Sequence, residues 1–170
     1  LDQELTSHNR IGVDLKLHAF SWYKRFIEVS AEKSIHCISI GQNLIDLCWK
    51  ERPDKKLSQI KVLEEKYHGQ SSQLKRTAVG DLLKATKVDS AIITSLDAIS
   101  WLLNLRGRDI PCLPVFYATV IINQNGDVIC FLDLKKMAKN IKSSFDSGVS
   151  FQCKSFLDKH LLSISDKIIQ

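Results

Sequence analysis

Residues 115–132 set the tightest condition on how this chain can fold. Residues 115–123 and 128–132 are two almost unbroken apolar runs, and Asn123-Gln124-Asn125-Gly126-Asp127 stands between them. Glycine reaches positive φ without steric cost and Asn and Asp favour turns, so the two runs read as the strands of a β-hairpin.

The flanking segments decide the fold class. Ser71 or Ser72 caps a helix with Leu74, Ala78, Leu82 and Ala85 on one face, because an early hydroxyl satisfies otherwise unpaired amides. Ala91-Ile92-Ile93-Thr94 reads as a buried strand, and Ser95 caps a further helix that buries Leu96, Ile99, Leu102 and Leu103. Beyond the hairpin, Leu134, Met137, Ala138, Ile141 and Phe145 repeat at helical spacing. Gly148 breaks that pattern, 149–153 reads as strand and 156–162 as helix. Near the start, Ile11-Gly12-Val13-Asp14 is a short strand and Leu17, Phe20, Tyr23 and Ile27 step as a helix. Residues 35–40 alternate as a strand, and Leu44, Leu47 and Cys48 resume a helix that Pro53 ends. Strands alternating with helices, plus one hairpin, predict an α/β fold: a mixed β-sheet flanked by helices. Glu51-Arg52-Pro53-Asp54-Lys55-Lys56 has charge, a proline and no apolar anchor, so a boundary between two lobes is placed there.

With 170 residues, 44% of them hydrophobic, the chain can bury about 70% of its unfolded surface and needs no disulfide or metal staple. No run approaches the roughly 18–20 apolar residues of a membrane span. The 24 Lys and Arg against 19 Asp and Glu raise a nucleic-acid reading. Lys24-Arg25, Lys55-Lys56 and Lys135-Lys136 are scattered pairs rather than a stripe, however, so they read as solvated surface, with neither nucleic acid nor membrane as partner. The five cysteines, Cys37, Cys48, Cys112, Cys130 and Cys153, lie mostly in apolar neighbourhoods without a C-x-x-C pair. They read as buried reduced thiols in a reducing cytoplasm. The chain opens on Leu1 with no basic segment leading into an apolar one, so no secretory signal is expected and the chain reads as a piece of something longer.

Chemistry-bearing motifs are scarce. The five histidines never form H-x-x-x-H or H-E-x-x-H; His36 reads as a strand residue and His68 as a solvated loop residue. Neither a phosphate-cradling glycine motif nor a G-x-S-x-G elbow occurs, and Cys112 has no histidine near it in sequence. The unusual segment is 101–116, where Arg106, Gly107, Arg108, Asp109 and two prolines lie between a helix and a strand. In one reading it is a connection: Gly107 turns, Asp109 pairs with an arginine and the prolines stiffen the entry to Val115. In a sharper one, Arg106 and Arg108 face a carboxylate of another domain or of a peptide terminus, which guanidinium recognises bidentately.

The run Thr94-Ser95-Leu96-Asp97-Ala98-Ile99-Ser100-Trp101-Leu102-Leu103-Asn104-Leu105-Arg106-Gly107-Arg108-Asp109-Ile110, followed by Pro114-Val115-Phe116, closely resembles the second domain of three-domain Xaa-Pro aminopeptidases. Asn43-Leu44-Ile45-Asp46-Leu47-Cys48-Trp49-Lys50-Glu51-Arg52-Pro53 is similar to the family's passage between its first two domains, and Ile11-Gly12-Val13-Asp14 to a strand late in the first. The chain departs from the family at Arg108, where a small residue is common, and at Leu113, where an Asn often precedes the proline.

The resemblance implies a creatinase N-terminal-like layered fold. Residues 1–52 would be the C-terminal part of the first domain, 53–57 a linker, and 58–170 a second domain truncated at its end. It further implies a cytoplasmic metallo-exopeptidase that removes the N-terminal residue preceding proline. Two divalent ions, usually manganese, would sit in a C-terminal pita-bread domain that this sequence does not include. Neither a catalytic nor a metal-binding residue carries over, so the chain alone is expected to be inactive and to hold no cofactor. Its expected partners are that catalytic domain, proline-containing peptides and, through subunit contacts, a second copy. The expected cleft or interdomain residues are Arg106, Arg108 and Asp109. The alternatives are a binding module of a catalytically degenerate relative and an anion-binding module.

Overall fold

The computed structural model describes residues 9–53, 58–138 and 140–164. Of the expected linker 53–57, all but Pro53 lies outside the described residues. The chain divides into two compact units, Leu1–Asp54 and Lys55–Gln170.

In the first unit, β1 (Arg10–Val13) and β2 (His36–Ser39) pair in parallel, with Ile11 opposite Cys37. Parallel neighbours need a crossover, and α1 (Phe20–Glu32) supplies it. A side chain on Gly12 would meet Ile40 Cγ2 at 2.8 Å, so glycine admits this close approach. Asp14 organises the following loop: its carboxylate accepts the Lys16 amide at 3.0 Å and Asn43 Nδ2 at 2.8 Å. Asn43 Oδ1 in turn accepts the Ile45 and Asp46 amides, capping α2 (Leu44–Cys48). That helix closes at Cys48 with the Trp49 amide on Ile45 O, well before Pro53, which therefore does not end it.

The second unit contains, in order, β3 (Lys61–Val62), α3 (Glu65–His68), α4 (Ser72–Ala85), β4 (Ser90–Ile93), α5 (Leu96–Leu102), β5 (Leu105–Arg106), β6 (Ala118–Asn123), β7 (Val128–Leu132), β8 (Val149–Cys153) and α6 (Leu157–Ser163). β3 and β5 form a short antiparallel ladder. The main sheet has the order β4-β6-β7-β8, antiparallel up to β7 and parallel between β7 and β8, so it is mixed. The β6–β7 hairpin closes through Gly126 at φ 82°. Both faces of this hairpin are covered, which explains its unbroken apolar runs. Val120, Ile122, Val128, Cys130 and Leu132 pack with Leu83 of α4 and Ile99 and Leu102 of α5, while Ile121 and Phe131 pack with Leu157 and Leu161 of α6.

Several expectations are corrected here. Ser71 caps α4 through its hydroxyl, but Leu74, Ala78, Leu82 and Ala85 are all exposed; Lys75, Arg76, Gly80 and Leu83 form the buried face. Gly80 is there because the helix rides on the hairpin turn: a Cβ would lie 2.6 Å from Gln124 O. Ser95 takes the N-cap position of α5 without capping an amide, its hydroxyl instead donating to the Asp97 carboxylate. No α-helix covers 134–145 among the described residues; two single 3-10 turns, Leu134–Lys136 and Lys142–Ser144, stand there. The physical reason is that Lys136 O accepts the Ile60 amide at 3.0 Å and so is taken from a helical ladder. All five cysteines are free, but only Cys130 is buried, its thiol pushed up to about 12 by burial; Cys48 and Cys112 are exposed.

Candidate functional site

The segment between α5 and β6 is built by local constraints that its residue types meet. After α5, Asn104 turns the chain at φ 50°, a conformation that asparagine tolerates. β5 then lasts only two residues before Gly107. A Cβ on Gly107 would lie 2.7 Å from Phe116 Cβ and 2.9 Å from Val115 O, so only glycine lets the two arms of the loop come together. The Asp109 amide donates to Val115 O at 3.1 Å and the Leu113 amide to Ile110 O at 3.2 Å, with Cys112 at φ 63°. These bonds hold Val115 and Phe116 against the loop, which is why β6 begins only at Ala118 rather than at the expected residue 115.

Asp109 is the anchor of this loop. Its carboxylate accepts from Lys136 Nζ at 2.5 Å, from Ser58 Oγ at 2.8 Å and from the Tyr117 amide at 2.8 Å. Ser58 Oγ also accepts the Arg108 amide at 2.8 Å. The side chains of Lys136 and Asp109 are 5% and 1% exposed. Burial by itself raises the Asp109 pKa, but the hydrogen bonds from Lys136, Tyr117 and Ser58 and the Lys136 charge outweigh it, so the carboxyl sits below the ordinary aspartate range. The expected arginine partner of Asp109 is thus a lysine, and Lys136, expected as solvated surface, is buried.

Arg106 and Arg108 behave differently from Asp109. Arg106 Nη1 donates to Ser100 O at 2.6 Å and Leu105 O at 2.9 Å, fixing the guanidinium at the end of α5. Arg108 is held by its backbone and leaves its side chain exposed. Behind Arg106, buried Lys75 donates to Trp101 O at 2.9 Å and Asn104 Oδ1 at 2.6 Å and lies over the Trp101 ring. Burial, and then the charge of Arg106, lower the Lys75 pKa. The loop borders two open clefts. One, of about 410 Å³, is lined by Arg108 and 110–114. The other, of about 380 Å³, is lined by Gln59, Lys61, Arg106, Gly107, Arg108 and Pro114.

Sequence reasoning placed Arg106, Arg108 and Asp109 in one turn but missed Ser58, Lys61, Lys75 and Lys136. The signal for Lys136 is chemical rather than sequential: a carboxylate in an apolar loop requires a cation from elsewhere. Among the described residues, no group of three or more His, Cys, Asp or Glu side chains could hold a metal ion, so they do not offer a ligand set for one. No helix among them is long and apolar enough to cross a membrane.

Residues 51–168 match the family described as Creatinase/Prolidase N-terminal domain. "Xaa-Pro aminopeptidase 1" of Dictyostelium discoideum is 33% identical over 171 residues, covering 96% of this chain and 27% of that protein. "Probable Xaa-Pro aminopeptidase P" of Laccaria bicolor is 31% identical over 166 residues, covering 97% of this chain and 26% of the relative. The crystal structure of an X-prolyl aminopeptidase from Caenorhabditis elegans, described as a cytosolic enzyme with a di-nuclear active site, superposes with a TM-score of 0.85. It is 28% identical and covers 96% of this chain but 27% of that one.

Proposed function

The chain belongs to the creatinase/prolidase N-terminal domain family, and from that premise we propose that it is the non-catalytic N-terminal part of a Xaa-Pro aminopeptidase. The parent protein would be a cytoplasmic metallo-exopeptidase that releases the N-terminal residue preceding proline. The observation that carries this reading is the asymmetry of coverage: nearly all of this chain aligns with about a quarter of each relative. The remaining three quarters is room for the chemistry that these residues do not supply. Its two divalent ions, manganese in the usual case, would be bound there.

On this reading residues 1–52 close a first creatinase-like domain, 53–57 link, and 58–170 form most of the second. The described chain supplies a wall for the substrate cleft and surfaces for domain or subunit contact. Arg106 and Arg108 serve that wall, and Asp109 serves it indirectly by holding the turn that carries them.

The test is manganese-dependent release of the N-terminal residue from a short X-Pro peptide, run on this chain and on the complete parent polypeptide. Activity in the parent alone is expected. Silence in both would favour a binding module of a degenerate relative, and turnover by this chain itself would overturn the non-catalytic assignment.

A further inference from the structure

The cleft lined by Gln59, Lys61, Arg106, Gly107, Arg108 and Pro114 holds positive charge that the described residues of its walls do not balance. Lys61 and Arg106 stand directly opposite each other across the β3–β5 ladder, a placement that destabilises a strand pair when the charges are alike. The Arg106 guanidinium is held in place by two backbone carbonyls, and its charge is felt by Lys75 as a repulsion. The carboxylate in the same turn, Asp109, is spent on Lys136, Ser58 and Tyr117 and is almost wholly buried. Among the described residues that line the cleft, none is acidic.

We propose that this cleft is a carboxylate-binding site, and that its occupant is the free C-terminal carboxylate of a short peptide. The occupant's identity rests on the peptidase reading above. A pre-positioned guanidinium with a lysine opposite it suits a planar carboxylate, which guanidinium can engage with two parallel hydrogen bonds. Arg108 adds an exposed cation to the lining, and the Gln59 amide adds a neutral donor. Binding an anion between Lys61 and Arg106 would also relieve the like-charge opposition across the β3–β5 ladder. A volume of about 380 Å³ suits the end of a di- or tripeptide rather than a folded partner.

The experiment uses one X-Pro-Y tripeptide in two forms, free acid and C-terminal amide. In the complete parent, kcat/KM for the acid should exceed that for the amide by about tenfold, the size of one charge-assisted contact. The ratio should fall to about one in the Lys61→Gln, Arg108→Gln double variant. Equal handling of acid and amide by the parent, or a ratio unchanged in the variant, overturns the peptide as occupant. In parallel, amide chemical shifts of residues 106–108 are followed in the 170-residue chain as each peptide is added. Saturating shifts with the acid but not the amide support the site even if the parent proves inactive, so the two readings fail separately. Shifts with neither peptide, or stronger competition by inorganic phosphate than by acetate, overturn the carboxylate site. Unperturbed shifts of the β6 and β7 amides in the variant show that it has folded.

Discussion

Lys136 and Asp109 illustrate how much of the candidate site depends on single side chains. Breaking a buried ion pair leaves a charge without its partner, which costs several times what the intact pair contributes. Lys136→Ala should therefore destabilise the second unit by about 3 kcal/mol, read as a lower urea midpoint. Asp109→Asn combined with Lys136→Met removes both charges and should cost less than the single change, which the same melts would show. The pH dependence follows from the depressed Asp109 pKa. Below the ordinary aspartate value of 3.8 the unfolded chain takes up a proton that the folded carboxylate still refuses. The stabilisation from Asp109 is thus complete above that value and drains as pH falls through the lower folded one. In Lys136→Ala, burial is no longer opposed by the lysine, so this part of the acid dependence should flatten. An unchanged profile would show that Lys136 does not set the carboxyl.

Among the elements, α4 shows best how a helix is fitted to what it covers. Gly80 faces the backbone of the hairpin turn, with Gln124 O 2.6 Å and Gly126 N 2.9 Å from where a Cβ would be. Alanine would gain up to about 1 kcal/mol in helix propensity. The turn cannot easily retreat, because buried Arg76 donates to Gly126 O at 3.0 Å and to Asp146 at 2.6 Å. Gly80→Ala should therefore lose about 1–2 kcal/mol net, overpacking outweighing propensity, and a urea midpoint equal to wild type would show that the turn yields. The same helix marks where sequence reading stops. The β6–β7 hairpin was legible because apolar runs and turn residues both act locally. The buried face of α4 was not, because Lys75 and Arg76 bury their stems and find acceptors at Trp101, Asn104 and Gly126, far along the chain. The apolar spacing of 134–145 was likewise overruled by the distant amide of Ile60. For the site, the chain marked its own turn by clustering Arg106, Gly107, Arg108 and Asp109. Ser58 and Lys136 reach Asp109 across 51 and 27 residues, a proximity that only the fold creates.

For the molecule as a whole, the two units differ in how much apolar surface they remove from water. In the second, Phe116, Phe131, Ile99, Leu102 and many neighbours are below 2% exposure, on both faces of a four-stranded sheet. In the first, the buried residues among those described are Val13, Ser30 and Ile35. There Phe20 is 79% exposed and Ile45 67%, and Leu17, Leu44 and Trp49 are exposed as well. A two-stranded sheet is marginal in water unless further strands or a packed helix bury one of its faces, and α1 buries only Ser30. Stability should accordingly be uneven, with local opening of the first unit at far lower free energy than global unfolding of the second. Hydrogen exchange on the 170-residue chain reads this directly: α1 and β2 amides should exchange at least about a hundredfold faster than those of β6 and β7. Exposed apolar side chains in this number favour association, so protection of α1 should increase with protein concentration if copies cover one another. Equal protection in the two units at low concentration would mean that the first unit is stabilised by more than the burial seen here.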